Sequence, residues 1–135
     1  MAAGYLLDTN IFSALLRGEP GSLLNRIANL APERLCVSSL VLGELLAGAE
    51  KSDRRAATLG AIRDVIADMA HAPFNEDDAA AYARIRAALE RKGANIGPVD
   101  MLIAAQAVSR GLVLVTDNLR EFKRVPGLSC ENWLR

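Results

Sequence analysis

Two short apolar runs in this chain, GYLL at residues 4–7 and LVLVT at residues 112–116, each end directly on an aspartate, Asp8 and Asp117. Runs of this length read as strands, and the β-branched residues of the second make it the clearest strand in the sequence. After Asp8 the stretch IFSALLR reads as a helix; after Asp117, NLREF turns away from the strand. Short apolar strands alternating with helix-length segments constrain the chain to an α/β layered domain with a mostly parallel sheet. The first corner also poses a problem. In YLLDTNIF the Asp8 charge lies between two apolar segments, and desolvating it is costly unless it is capped, paired or bound to a cation.

Local punctuation places the other elements. Thr9 or Asn10 is positioned to cap the first helix, which stops at Gly18. A second helix covers about Leu23 to Leu30 and ends at Pro32. RLCVSS reads as a strand, with Ser38 or Ser39 capping LVLGELLAGAE, so Glu44 falls about one turn inside that helix. From Asp53 to Ala70, residues Leu59, Ile62, Ile66 and Met69 recur at spacings of three and four, the pattern of an amphipathic helix. HAPF is a short strand. Glu76, Asp77 and Asp78 then open a helix to about Arg91, where their charges suit its dipole, and Gly93 closes it. Gly97 and Pro98 start VDMLIAAQAVSR, which puts Asp100 in the first turn before the stop at Gly111. LSCEN supplies a last short strand. With no repeat, low-complexity tract or linker, residues 1–135 read as one domain.

Composition excludes several classes. Lysine plus arginine (16) balance aspartate plus glutamate (16), so neither a general positive field nor an acidic tail is present. Cys36, Cys130 and the single His71 form no metal or disulfide motif, which points to a reduced, cytoplasmic setting. The most apolar stretch, LCVSSLVLGELLAGA, is interrupted by two serines and Glu44 before it reaches the roughly 18 residues of a membrane span, so a soluble protein is expected.

In a parallel α/β sheet, ligands bind beyond the carboxyl ends of the strands. Asp8 and Asp117 follow strands directly, while Glu44 and Asp100 begin helices whose N-termini can face the same edge. Each acid taken singly has a plain structural explanation as a cap, a dipole partner, a turn former or a wet-face residue. Together they describe one acidic pocket drawn from four stretches. Clustered carboxylates repel and raise one another's pKa unless a cation neutralises them. Hard oxygen donors suit Mg²⁺ or Mn²⁺, whereas zinc would call for a cysteine or histidine set that is absent. Such a site fits phosphodiester hydrolysis by a cation-activated water, with one metal ion or two.

The stretches YLLDTNIFSALL, VSSLVLGELLAGA, NIGPVDMLIAAQAVSRGLVLVTDNLREF and RVPGLSCENW resemble the PIN-domain ribonucleases, and most closely the VapC toxins of bacterial toxin–antitoxin pairs. The likeness spans nearly the whole chain. It implies a three-layer α/β/α fold, a homodimer, and a Mg²⁺- or Mn²⁺-dependent endoribonuclease held in check by a VapB-type antitoxin, with operator DNA contacted mainly through that antitoxin. It also implies structured RNA such as a tRNA anticodon loop as substrate, and products with a 5′-phosphate and a free 3′-hydroxyl. The family's acids fall on Asp8, Glu44 and Asp100. For the fourth acid the sequence departs from the common pattern, because Asn118 stands two residues after Thr116. The missing charge then comes from Asp117, which is preferred here, or from Glu121, while Asn118 positions water or metal.

On this reading Asp8 and Asp100 hold the metal, Glu44 orients or deprotonates its water, and Asp117 supports them. Thr9 and Asn10 are placed to hydrogen-bond Asp8 or a phosphate, or to cap the helix. Arg120, Lys123 and Arg124, with Arg84, Arg86, Arg91 and Lys92, are either solvated faces or an RNA patch. Aromatics (4%) are too sparse for an extended stacking platform. The Leu59–Met69 stripe serves the core, a second subunit or an antitoxin helix. Two rival readings stand beside this one: a haloacid-dehalogenase-type phosphatase with Asp8 as nucleophile, and a silent binding module.

Overall fold

A computed structural model describes residues 4–135 of the chain. Leu6 and Leu7 are both fully buried, as are Leu114 and Val115, although neighbouring strand residues face opposite sides of a sheet. The sheet must therefore be covered on both faces, as parallel sheets are. It belongs to a three-layer α/β/α arrangement. In chain order the elements are β1 (Tyr5–Leu7), α1 (Thr9–Arg17), α2 (Gly21–Ala28), β2 (Leu35–Ser38), α3 (Ser39–Glu50), α4 (Arg55–Ile66), β3 (Ala70–Ala72), α5 (Glu76–Lys92), α6 (Pro98–Arg110), β4 (Val113–Val115), α7 (Leu119–Phe122) and β5 (Cys130–Glu131).

The described strands form one sheet in the order β3-β2-β1-β4-β5, and every neighbouring pair is parallel. The chain walks outward from β1 through β2 to β3, then returns to lay β4 on the other side of β1. The order therefore reverses between β1 and β4, and a crevice opens beyond their carboxyl ends. Their register pairs Leu7 with Val115, and the Asp8 N–H continues the ladder onto the Val115 carbonyl at 2.9 Å. Asp8 and Thr116 thus emerge side by side at the switch point.

Several element ends differ from the sequence-based expectation. Asp8 itself, not Thr9 or Asn10, is the N-cap of α1, its carboxylate accepting from the Thr9 N–H; Gly18 closes the helix with φ +77°. The second helix begins at Gly21 and ends at Ala28, and Pro32 starts a 3₁₀ turn through Arg34 rather than ending a helix. The helix expected from Asp53 to Ala70 stops at Ile66, because Ala70–Ala72, which begins one residue before the expected HAPF strand and shares His71 and Ala72 with it, is drawn into the sheet beside β2. Of the four stripe residues only Ile62 is buried; Leu59, Ile66 and Met69 pack partly exposed against the core. Ser38 caps α3 through the Leu40 N–H, as one of the two expected serines. Among the described residues, no helix is long and apolar enough to cross a membrane.

Asp78 is a second difference of substance. Expected only to suit a helix dipole, it has no exposed surface, and it forms a capping box with Asn75 while accepting from Ser109 (2.7 Å) and Arg110 (3.1 Å) on α6. Burial pushes its pKa up, but the hydrogen bonds from Arg110, the Asn75 N–H and Ser109 outweigh this and leave it below the ordinary carboxylate range. Gln106, also fully buried on α6, accepts from the Ser38 hydroxyl and donates to the Ala72 carbonyl at 2.9 Å. These two groups fix α6 against α5, against the head of α3 and against β3.

Removing the Asp78 carboxylate leaves Arg110 and the Asn75 N–H without their buried partner. Asp78→Ala should therefore lower unfolding free energy in urea by about 3 kcal/mol, whereas Glu50→Gln, in the exposed pair with Arg55, should leave the urea midpoint unchanged. Gln106→Leu should cost roughly 1–3 kcal/mol in the same measurement, because a buried carbonyl and a buried hydroxyl lose their partners.

Candidate active site

The crevice between β1 and β4 is framed by carboxylates from separate stretches. Asp8 stands at its base, only 7% exposed. One carboxylate oxygen accepts from the Thr9 N–H at 2.8 Å and the other from the Thr116 hydroxyl at 2.9 Å. Thr116 is itself oriented by the Asn118 N–H, which donates to its oxygen at 3.0 Å. Burial raises the Asp8 pKa, the hydrogen bonds from Thr116 and Thr9 pull it back, and the charges of Glu44 and Asp117 push it up again. The net shift is upward.

Glu44 reaches the same crevice from α3, exposed to solvent, and its Oε1 accepts from the Thr9 hydroxyl at 2.6 Å. Thr9 thereby ties two acids together, its amide to Asp8 and its hydroxyl to Glu44. Asp117 is exposed and held by the Asn10 side-chain amide at 3.1 Å, so DTN at positions 8–10 anchors three carboxylates in succession. The expectation that Thr9 and Asn10 would bond Asp8 or a phosphate is met by the Thr9 amide alone; their side chains serve Glu44 and Asp117.

Asp100 sits in the first turn of α6, half-buried. Its pKa is pushed up to about 7, first by burial, then by the charge of Glu121, the charge of Asp8, hydrogen bonding with Glu121, and the charge of Glu44. Glu121 lies against it: its Oε1 accepts from the Gly97 N–H at 2.8 Å, and its Oε2 accepts from the Asn118 side-chain amide. A Cβ on Gly97 would come within 3.1 Å of Asp100 Oδ2 and 3.7 Å of Glu121 Oε1, so the bare backbone at Gly97 makes room for both carboxyls. Asp117 is absent from the groups that shift Asp100, whereas Glu121 heads the neighbouring charges that do.

All four acids singled out by sequence therefore converge on one edge, joined by Glu121. The acids feel one another's charge without closing into a coordination shell: no three of the described carboxylate, imidazole or thiol groups form a ready-made cation cage. Thr116 escaped sequence reasoning as the residue that holds Asp8, although its place at the end of LVLVT, directly after the Val115 that pairs with Leu7, was the available signal. Of the basic residues near the crevice, Arg124 spans from its exposed position to the Asn95 carbonyl at 3.1 Å, and Arg120 and Lys123 are exposed. Arg86 is occupied by Glu90 and Tyr82 on α5.

Comparison with known proteins agrees with this architecture. Residues 5–128 match the PIN domain family. The chain is 41% identical over 129 residues to a tRNA(fMet)-specific endonuclease VapC of Salmonella typhimurium, covering 96% of this chain and 97% of that protein. It is 40% identical over 130 residues to ribonuclease VapC2 of Haemophilus influenzae, covering 96% and 98%. Among solved structures, it superposes with a TM-score of 0.91 at 40% identity on a chain of the DNA-bound VapBC complex of Salmonella typhimurium, covering 98% and 99%. A promoter-DNA-bound VapBC2 complex of Rickettsia felis aligns with a TM-score of 0.90 at 35% identity, covering 96% and 98%. With the matching carried through from β1 to the loop before β5, the chain belongs to the PIN-domain family, in its VapC group.

Proposed function

We propose that this protein is the toxin of a toxin–antitoxin pair, a divalent-metal-dependent endoribonuclease that hydrolyses phosphodiester bonds of structured RNA such as tRNA. The observation that carries the reading is the convergence of Asp8, Glu44, Asp100 and Glu121 on the strand switch point, where burial first and then the charges of Glu121, Asp8 and Glu44 push Asp100 up to about 7. The named activities of the Salmonella and Haemophilus relatives support it, and the VapBC complexes support an antitoxin of the VapB type as partner, with operator DNA reached through that complex. A homodimer is part of the same proposal.

The residues present fit Mg²⁺ or Mn²⁺. Every donor is a hard carboxylate oxygen, and the raised pKa values of Asp8 and Asp100 mark uncompensated negative charge that a cation relieves. Asp8 and Asp100 would hold it, with Glu44 completing the set. When bound, a divalent cation supplies charge neutralisation at the phosphate and a more acidic water. The remaining work belongs to side chains. Thr116 and the Thr9 amide fix Asp8 in one rotamer; Thr9 aims Glu44, whose exposed carboxylate accepts the proton of the attacking water. The fourth position goes to Glu121, because it touches Asp100 and is braced by Gly97 and Asn118; Asp117 acts at the Asp8 end, where its charge is felt.

Purified, antitoxin-free protein incubated with total bacterial RNA and Mg²⁺ or Mn²⁺ should give discrete cuts bearing 5′-phosphates. Chelation should abolish them, and Asp8→Asn and Asp100→Asn should retain the fold but lose cleavage. Glu44→Gln should lose about 100-fold or more, as expected for removal of a general base. Full activity in both aspartate variants would refute the assignment. In the same assay Glu121→Gln should reduce the rate more than Asp117→Asn; the reverse order would return the fourth position to Asp117.

Without cation, the Asp100 shift has a stability consequence. The folded state holds the proton up to about 7, against an ordinary value of 3.8, so its contribution is fully present at low pH and is lost as pH rises through the folded pKa. Thermal unfolding in EDTA should show the wild type losing Tm between about pH 5 and pH 7.5 relative to Asp100→Asn. Adding Mn²⁺ at pH 7.5 should raise Tm of the wild type and leave that of Asp100→Asn nearly unmoved.

A further inference from the structure

Beside the carboxylates lies a cavity of about 240 Å³ that none of them lines. Its apolar lining comes from Ile96, the exposed Pro98 and the buried Met101. One wall is the half-buried Tyr82 ring of α5, and its rim carries Arg86, Glu90 and Asn95. The segment Asn95–Pro98 is shared with the acidic crevice: Gly97, between two cavity residues, gives its N–H to Glu121, and the Asn95 carbonyl is held by Arg124. Met101, the residue after Asp100 on α6, lines the cavity, so the two sites adjoin along the chain.

The rim carries a donor and an acceptor on exposed side chains. Arg86 donates through Nη1 to the Tyr82 hydroxyl at 3.1 Å and through Nε to Glu90 Oε2 at 3.2 Å, which sets a guanidinium donor and a carboxylate acceptor side by side. The Asn95 side-chain amide makes no hydrogen bond among the described residues. The volume is below the roughly 300–1,000 Å³ of sites that enclose drug-sized ligands, so it suits one ring system.

We propose that this cavity receives a single unpaired base of the RNA next to the scissile phosphodiester, and that guanine is the base it selects. Unpaired bases of RNA are read by stacking on an aromatic face and by hydrogen bonds to their Watson–Crick edge. Tyr82 supplies the face. Guanine presents the O6 acceptor beside two donors, N1–H and N2–H, which match Arg86 and the two oxygens of Glu90. Adenine offers one donor on that edge, and the pyrimidines are smaller than the space. This inference rests on the ribonuclease reading and names part of its substrate.

The test compares wild type, Glu90→Gln and Tyr82→Leu, each checked for Tm and oligomeric state, in mapping cut sites across total bacterial RNA. A parallel arm follows Ile96 and Met101 methyl resonances on adding guanosine or cytidine monophosphate without divalent cation. The expected result is guanine enriched at one fixed position relative to the cut, a preference reduced about tenfold in Glu90→Gln and a lower cleavage rate in Tyr82→Leu, with both methyls shifted by the guanosine nucleotide only. Cut sites with no guanine preference, or a preference unchanged in both variants, would overturn the subsite and leave the nuclease standing. So would dissociation of a dimer by Tyr82→Leu, which would make the cavity an interface between copies. Selective methyl shifts without any RNA cleavage would overturn the nuclease reading and retain the base site.

Discussion

Mutual repulsion among carboxylates held in one partly desolvated crevice is the constraint on which the rest of this structure depends. Asp8 is nearly buried and Asp100 half-buried; burial comes first in raising both pKa values, the charges of Glu44 and Asp117 add to it at Asp8, and those of Glu121, Asp8 and Glu44 add to it at Asp100. Left to itself such a cluster would open or take up protons. It stays assembled because the acids around Asp100 have fixed donors: Thr116 and the Thr9 amide for Asp8, the Thr9 hydroxyl for Glu44, Asn10 for Asp117, Gly97 and Asn118 for Glu121. These donors are neutral. They orient the carboxylates without cancelling their charge, which leaves neutralisation to something that binds.

The sheet order is what brings the donors and acids together. Because β4 lies beside β1 and not at the end of the series, Thr116 reaches Asp8 across a sequence separation of 108 residues through a single rung of ladder. The helices are fixed with equal economy. Gln106 bonds Ser38, the residue that caps α3, so the helix carrying Asp100 and the helix carrying Glu44 share one buried polar contact. The Asp78 network locks α6 to α5 at its other end.

Strand and helix order could be read from the chain because apolar runs, capping residues and glycine stops are local signals. Asp8, Glu44 and Asp100 could be read as a group because each interrupts an apolar stretch at an element end. The misreadings have tertiary causes. Met69 fits helical spacing, but β2 offers hydrogen bonds to the following residues, and the sheet takes Ala70–Ala72 from the helix. Asp78 looks like one of three interchangeable acids until α6 brings Ser109 and Arg110 against it. The closeness of Glu121 to Asp100 was not legible either, because it arises from the folding of α7 back toward Gly97, which no spacing encodes. Pairing of Thr9 with Glu44 likewise appears only when α1 and α3 are neighbours.

The most direct measurement is a titration of the Asp100 side-chain carboxyl carbon by NMR, in EDTA and again with Mg²⁺. A crowded, cation-seeking crevice gives a midpoint near 7 in EDTA and a fall toward the ordinary carboxylate range when Mg²⁺ is added. A midpoint near 3.8 in EDTA, unmoved by Mg²⁺, would mean that the acids do not confront one another, and the central claim would fail.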